Sequence, residues 1–262
     1  MGFNIVNLLN NENVEQLEHK GPFRVIEHQK DLSVLPHTAQ TAYFCSQMGV
    51  RKRQALCQAD GSGIITQAGA MQWTLGNVEA TTGVKGAGDL FGKVLKGSVT
   101  GESAIKPEYR GNGLIMLEPT YKHILLIDLA EWGGSVALDD GMFLACEGSI
   151  RLGVERRQNV SSAVFGGMGL FNIRAQGTGI LAAECDCPRA ELVEINLQDD
   201  VFKADGNFVV AWSTSLRFTT ERAGKTLVGS AASGEGLVNV YRGTGRLWMM
   251  PVSGSPIGTL PA

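Results

Sequence analysis

Gly236-Leu-Val-Asn-Val-Tyr-Arg-Gly-Thr-Gly-Arg-Leu-Trp-Met-Met250 is the most informative segment of this sequence. Apolar and polar residues alternate over residues 237–242, a glycine pair follows, and an apolar run comes after the pair. Successive side chains of a β-strand point to opposite faces, so this alternation predicts a half-buried strand. Gly169-Leu-Phe-Asn-Ile-Arg174 shows the same pattern earlier in the chain. Together the two segments predict an internal repeat of strands.

Three sets of landmarks define this repeat. The glycine pairs Gly111-Asn-Gly113, Gly177-Thr-Gly179 and Gly243-Thr-Gly245 recur at equal intervals along the chain. A second set precedes them: Gly101-Glu-Ser103, Gly167-Met-Gly169 and Gly234-Glu-Gly236. Each copy opens on a glycine (Gly69, Gly141, Gly206), with an apolar residue two positions later (Met71, Phe143, Phe208) and a β-branched residue five positions earlier (Ile64, Val136, Val201). Glycine favours tight turns, so these landmarks predict short strands joined by turns.

The predicted fold is all-β. It has three tandem repeats, each like a β-sandwich or a double-stranded β-helix, related by pseudo-three-fold symmetry. We place the repeats at residues 46–128, 129–194 and 195–250, after an N-terminal extension over 1–45 and before a flexible tail over 251–262. Helical periodicity is weak and confined to residues 12–20, which allows one helix at most. The first copy contains an insertion near residues 84–89, which we expect in a surface loop.

The composition predicts a soluble protein of the cytoplasm. The net charge of −3 gives no broad basic face for nucleic acid or anionic lipid. An odd number of cysteines argues against a disulfide framework and fits a reducing compartment; they are Cys45, Cys57, Cys146, Cys185 and Cys187. The N-terminus shows no signal peptide, and no apolar run approaches the roughly 20 residues that cross a bilayer.

No motif predicts a catalytic, cofactor-binding or metal site. The glycine pairs lack the third glycine and the helix of a dinucleotide fingerprint, so we interpret them as turns or bulges. Cys185-Asp-Cys187 alone is too little for a zinc site. The four histidines form no cluster for a cupin-like metal centre; they are His19, His28, His37 and His123.

Hydrolase chemistry finds no support in the motifs either. The G-x-S-x-G elbow is absent, although a Ser/His/Asp triad assembled from distant residues stays open at this point. The carboxylate pairs Asp139-Asp140 and Asp199-Asp200 precede the turns that open repeats. We interpret both pairs as solvated turn residues rather than general acids or bases.

Charged and aromatic residues give three further predictions. The basic run Arg51-Lys52-Arg53 is short, so we interpret it as a solvated strand edge or turn. Trp73 and Trp212 alternate with polar neighbours, which favours core packing over base or sugar binding. Trp248-Met249-Met250 breaks the alternation and is interpreted as part of an interface with a partner chain.

The sequence resembles the altered-inheritance-of-mitochondria 24 family over roughly residues 47 to 250. The resemblance is carried by Gly134-Ser-Val-Ala-Leu-Asp-Asp-Gly-Met-Phe-Leu-Ala145, Phe165-Gly-Gly-Met-Gly-Leu-Phe171, Gly234-Glu-Gly-Leu-Val238 and the last two glycine pairs. It implies a fold like the tryptophan RNA-binding attenuation protein, with three β units per chain and three chains in a nine-unit ring. It also implies membership of a family whose yeast member is associated with organisation of the mitochondrial inner membrane and whose bacterial members have no established activity.

Three functions stay open on the sequence alone. We expect a non-enzymatic, ring-forming scaffold or binding protein, as a homotrimer whose chains cover each other's open strand edges. An RNA-binding ring is an alternative that rests on fold analogy and is opposed by the acidic balance. The third is an enzyme or small-ligand binder with a pocket between repeats.

Overall fold

The fold of the chain is all-β, as predicted. Its structure, a computed structural model, describes residues 2–81, 106–156, 171–222 and 237–252. These residues form sixteen strands and one α-helix, α1 (Ala39–Gln47). The predicted insertion near 84–89, the second set of glycine landmarks and residues 253–262 of the predicted tail lie outside the described residues.

The strands form two barrel-like antiparallel sheets. The first sheet contains β1 (Val14–Lys20), β2 (Phe23–His28), β3 (Arg53–Asp60), β4 (Ile64–Thr66), β5 (Met71–Thr81), β6 (Glu108–Leu117), β7 (His123–Asp128), β9 (Phe143–Glu147) and β12 (Ile180–Cys185). They are hydrogen-bonded in the order β1-β2-β3-β6-β4-β9-β12-β7, and β5 also pairs with β6.

The second sheet follows the order β10-β11-β8-β14-β16-β13, and β15 also pairs with β16. Its strands are β8 (Ser135–Leu138), β10 (Arg151–Arg156), β11 (Phe171–Gln176), β13 (Val193–Asp205), β14 (Val209–Ser213), β15 (Arg217–Arg222) and β16 (Leu237–Met249). Two short 3₁₀ helices, Leu129–Trp132 and Arg189–Glu191, lie in the connections.

Three consecutive segments of the chain end on strands that contain a glycine pair or, in the second segment, flank it. In the first segment β6 pairs with β3, β4 and β5. In the second, β11 pairs with β8 and β10, and β12 pairs with β7 and β9. In the third, β16 pairs with β13, β14 and β15. The segments are joined by the pairing of β4 with β9 and of β8 with β14.

The first glycine of each pair lies where backbone conformation and close packing require glycine. Gly111, Gly177 and Gly243 have φ angles of 122°, 133° and 118°, in the region that side chains disfavour. A Cβ atom on Gly111 would lie 2.0 Å from the carbonyl oxygen of Asn77. The pairs therefore mark strand bends and bulges, as the interpretation from the sequence proposed.

The middle strands are buried on both faces, which explains their continuous apolar runs. In β7, Ile124 and Leu126 face the core that contains Phe23. Leu125 and Ile127 alternate with them and face the core that contains Trp132. The strands of the second segment therefore contribute to two cores at once.

The N-terminal extension adds a hairpin to the first sheet. β1 pairs with β2, and β2 pairs with β3. The helical periodicity over residues 12–20 gave a wrong indication, because this stretch forms β1. Sheet-edge hydrogen bonding outweighs such a weak periodicity. The helix, α1, lies later and contains no buried residue.

Candidate functional site

β13 and β5 present open edges and are the candidate interaction site. β13 pairs along one side with β16 and has no strand on its other side in the described part of the chain. β5 likewise pairs with β6 alone among the described strands. An open edge offers unpaired backbone groups to a further strand.

The open edge of β13 also exposes apolar side chains. Val193 is 40% exposed and Val201 is 45% exposed. The backbone N–H of Val201 donates to the carboxylate of Asp200 at 2.7 Å. This hydrogen bond satisfies the N–H of Val201 locally, so pairing with another chain would rely on the other backbone groups of the edge.

A bulge shapes β13 opposite the third glycine pair. The register with β16 shifts between Leu197 and Asp200, and Asp199 adopts a φ of 51°. The backbone N–H of Asp199 donates to the hydroxyl of Thr244 at 3.0 Å. The interpretation of Asp199 and Asp200 as turn residues is wrong, because they lie within β13 at its bulge. The two carboxylates are exposed, as expected.

An aromatic cluster packs against the core-facing side of β13. The ring centroid of Trp212 lies 5.3 Å from that of Phe218 and 5.4 Å from that of Tyr241, and Phe202 of β13 lies 6.3 Å from Tyr241. Trp212 is therefore a core residue, as predicted. Trp73 of β5 is half-buried and packs against a small cluster formed by Ile26, Leu56 and Met116.

Trp248 does not form the interface that the sequence suggested. It is 4% exposed and makes an edge contact with Trp132, with ring centroids 4.9 Å apart. Arg189 stacks on Trp248 at 4.1 Å, and Arg246 stacks on Trp132 at 4.2 Å. Such stacking stabilises a guanidinium on an aromatic face. Trp248 is thus a core residue inside one chain, and its two methionine neighbours also pack against the chain's own cores.

Glu194 connects Trp248 to the Arg189 side chain that stacks on it. Its carboxylate accepts a hydrogen bond from the indole N–H of Trp248 at 2.9 Å and one from Arg189 at 2.9 Å. The indole hydrogen bond and the charge of Arg246 lower the pKa of Glu194, in that order of importance. An acidic side chain on β13 therefore connects the strand to its own core.

The basic run 51–53 is not a solvated edge. Arg53 is 3% exposed and its guanidinium lies 2.6 Å from the carboxylate of Glu27, which is 6% exposed. Arg51 lies 2.9 Å from the same carboxylate. Buried charges require such pairing. This ion pair could not be predicted from the sequence, because it depends on the register that places Glu27 of β2 opposite Arg53 of β3.

A cavity of about 560 Å³ lies next to this ion cluster, between α1 and the edge of the first sheet. Apolar side chains such as Val34, Leu35 and Val50 line it together with His28 and Cys45. At its rim, Lys52 lies 2.7 Å from Asp31 and holds the pKa of that carboxyl at about 2. This cavity is located at the N-terminal extension, and a smaller one of about 280 Å³ lies between the first and second segments, where the sequence hypothesis placed a pocket.

Most residues weighed for metal or redox chemistry lie away from the cavity, whereas His28 and Cys45 line it. Cys185 and Cys187 are buried in a core, and burial raises the pKa of the Cys185 thiol to about 11. Burial lowers the pKa of His123, and His28 hydrogen-bonds Gln54 at 2.9 Å. Among the described residues, no group of three or more His, Cys, Asp or Glu side chains could hold a metal ion. None of the helices in that part of the chain is long and apolar enough to cross a membrane.

Comparison with known proteins identifies relatives over most of the chain. The family model described as "Mitochondrial biogenesis AIM24" matches residues 53–252. An uncharacterized protein of Streptococcus pyogenes serotype M6 is 31% identical over 201 residues, which are 74% of this chain and 78% of that protein. The crystal structure of a Streptococcus pyogenes protein is similar with a TM-score of 0.58 and 29% identity, covering 79% of this chain and 90% of the other.

Proposed function

The chain belongs to the mitochondrial biogenesis AIM24 family, and on this premise we propose that it is a non-enzymatic scaffold or binding protein that assembles into a homotrimeric ring. Each chain contributes three tandem β repeats with pseudo-three-fold symmetry, and the ring resembles that of the tryptophan RNA-binding attenuation protein. The cellular compartment is the cytoplasm. All five cysteines are free thiols, which supports a reducing environment.

The observation that carries this proposal is a strand joint that occurs twice within the chain. The first segment joins the second through β4 and β9, and the second joins the third through β8 and β14. Both joints are antiparallel. In each, the strand that precedes the opening glycine of one segment pairs with the strand that follows the opening glycine of the next segment. A head-to-tail joint of this kind propagates until a ring closes or a filament forms.

The first and last segments of the chain supply the two strands of a further joint. β13 precedes the last opening glycine, and β5 follows the first one. Neither has a second strand partner in the described ranges. Cyclic association of copies would cover both edges, which otherwise favour uncontrolled aggregation.

Native mass spectrometry of the full chain at micromolar concentration tests the ring. A trimer has three times the 28.0 kDa mass of a single chain. Val201→Lys, which places a charge on the open edge of β13, should convert the trimer to the 28.0 kDa monomer. Val154→Lys is the matched control, since Val154 is 54% exposed on the edge strand β10 and should leave the trimer intact. A monomeric wild-type chain would refute the proposal.

The cavity beside α1 favours a second candidate function, the binding of a small amphipathic molecule. Its volume of about 560 Å³ lies within the roughly 300–1,000 Å³ of ordinary ligand sites. A monomer that retains a small-molecule adduct when purified gently would make this function the leading one. An RNA-binding ring stays a weaker alternative, and salt-sensitive retention of RNA in a filter assay would revive it.

A further inference from the structure

We propose that β13 of one copy pairs antiparallel with β5 of the next copy, in the register that places Phe202 opposite Leu75, Lys203 opposite Thr74 and Ala204 opposite Trp73. The partner of this surface is a second copy of the same chain. The inference rests on the proposed ring and specifies the strands and the register that close it.

The register follows from the two joints inside the chain. In the first joint Ile65 pairs with Cys146, and in the second Ala137 pairs with Trp212. Ile65 and Ala137 each follow a residue, Ile64 or Val136, that pairs with the residue two before a glycine pair. In the third segment that position is Tyr241, which pairs with Phe202, so Lys203 is the residue equivalent to Ile65 and Ala137.

The other half of the joint is identified by the glycine pairs. Cys146 pairs with Leu181 and Trp212 pairs with Leu247, and each of these leucines lies two residues after a glycine pair. The equivalent residue of the first segment is Ile115, which pairs with Thr74. Thr74 is therefore the counterpart of Cys146 and Trp212, and the residue expected opposite Lys203.

The neighbouring pairs show that the two internal joints share one register. Ile64 and Val136, five residues before their opening glycines, pair with Glu147 and Ser213. Each partner lies one residue after Cys146 or Trp212, so the same step assigns Phe202, the equivalent of Ile64 and Val136, to Leu75. Counting in the other direction assigns Ala204 to Trp73.

The side chains at the proposed joint are compatible with this pairing. Phe202 is half-buried against the aromatic cluster and would meet the half-buried Leu75. Lys203 and Thr74, which would lie opposite each other, are both exposed. Ala204 is buried and small, and it would lie opposite the half-buried Trp73.

Cysteine cross-linking between co-expressed chains tests the register directly. One chain carries Lys203→Cys and the other Thr74→Cys, both with Cys45→Ser to remove the half-buried native thiol. Oxidation should give a covalent dimer with twice the 28.0 kDa mass of the chain. The matched control replaces Thr74→Cys with Leu75→Cys, which lies one residue away and points to the opposite face of the strand, so its dimer should be lost.

The outcomes separate this inference from the ring itself. A trimer whose chains do not cross-link overturns the joint and leaves the ring. A covalent dimer from Lys203→Cys alone also overturns it, because β13 would then pair with β13. A monomer without cross-links refutes both. Slower hydrogen exchange at residues 73–75 of the unsubstituted chain as its concentration rises would support the joint without any substitution, and unchanged exchange would oppose it.

Discussion

β3 and β13 begin their segments in the same way, and yet one is buried and the other is open. Each pairs with the last strand of its segment, β3 with β6 and β13 with β16. Beyond β3 lies β2 of the N-terminal hairpin, whereas no described strand lies beyond β13. The first five residues of β3 are buried, and β13 exposes Val193 and Val201. The neighbouring strand, rather than the local pattern, decides which edge is protected.

The largest expected effect comes from the ion cluster that connects the hairpin to β3. Glu27→Gln keeps the size of the side chain but leaves the guanidinium of Arg53 buried without its counter-charge. We expect the free energy of unfolding to fall by about 3–5 kcal/mol, measured by urea denaturation. Glu79→Gln, at an exposed position of β5, is the control and should change it by less than about 0.5 kcal/mol. Equal stability of the two variants would contradict a structural role for the cluster.

A truncation in each of the two strands tests the comparison itself. Leu56 of β3 is 5% exposed and Val201 of β13 is 45% exposed. Leu56→Ala should lower the free energy of unfolding by about 2–4 kcal/mol because it leaves a cavity. Val201→Ala should cost about 0.5 kcal/mol or less when measured at concentrations where the chain is monomeric. Similar losses in both variants would show that β13 is covered in the monomer.

A third loss of stability, smaller than those of Glu27→Gln and Leu56→Ala, is expected from the hydrogen bond between Trp248 and Glu194 on β13. Trp248→Phe removes the indole donor and should cost about 1–2 kcal/mol at pH 7. Because the folded state lowers the pKa of Glu194, this contribution is present above its ordinary value of 4.5 and is lost as the pH falls through the folded pKa. Thermal unfolding at pH 7 and at pH 3 should therefore show a difference between wild type and variant that shrinks in acid. A constant difference would assign the effect to packing alone.

The fold class and its landmarks could be predicted because they are local properties. Alternation over residues 237–242 corresponds to β16, and the first glycine of each pair has a positive φ, with a Cβ atom on Gly111 or Gly177 colliding with the backbone. Trp212 was placed in the core for the same reason, since its neighbours alternate in polarity. Such features depend on a few consecutive residues and their periodicity.

Features that depend on register could not be predicted. The pairing of Glu27 with Arg53 exists because β2 lies beside β3, and a one-residue slip would place Glu27 on the other face. Trp248 was assigned to an interface because its apolar neighbours break the alternation. The structure shows that β16 lies between β13 and β14 and that Trp248 packs on Trp132. Long-range pairing, rather than composition, determines both cases.

The placement of the thiols gives this protein a natural labelling position. Four cysteines lie inside cores, and burial raises the pKa of Cys146 to about 12, so the reactive thiolate form is scarce at neutral pH. Cys45 is the half-buried exception, and it lies on the wall of the cavity beside α1. A maleimide fluorophore should therefore attach at one residue of the unaltered chain. Its emission would report directly on any molecule that enters the cavity.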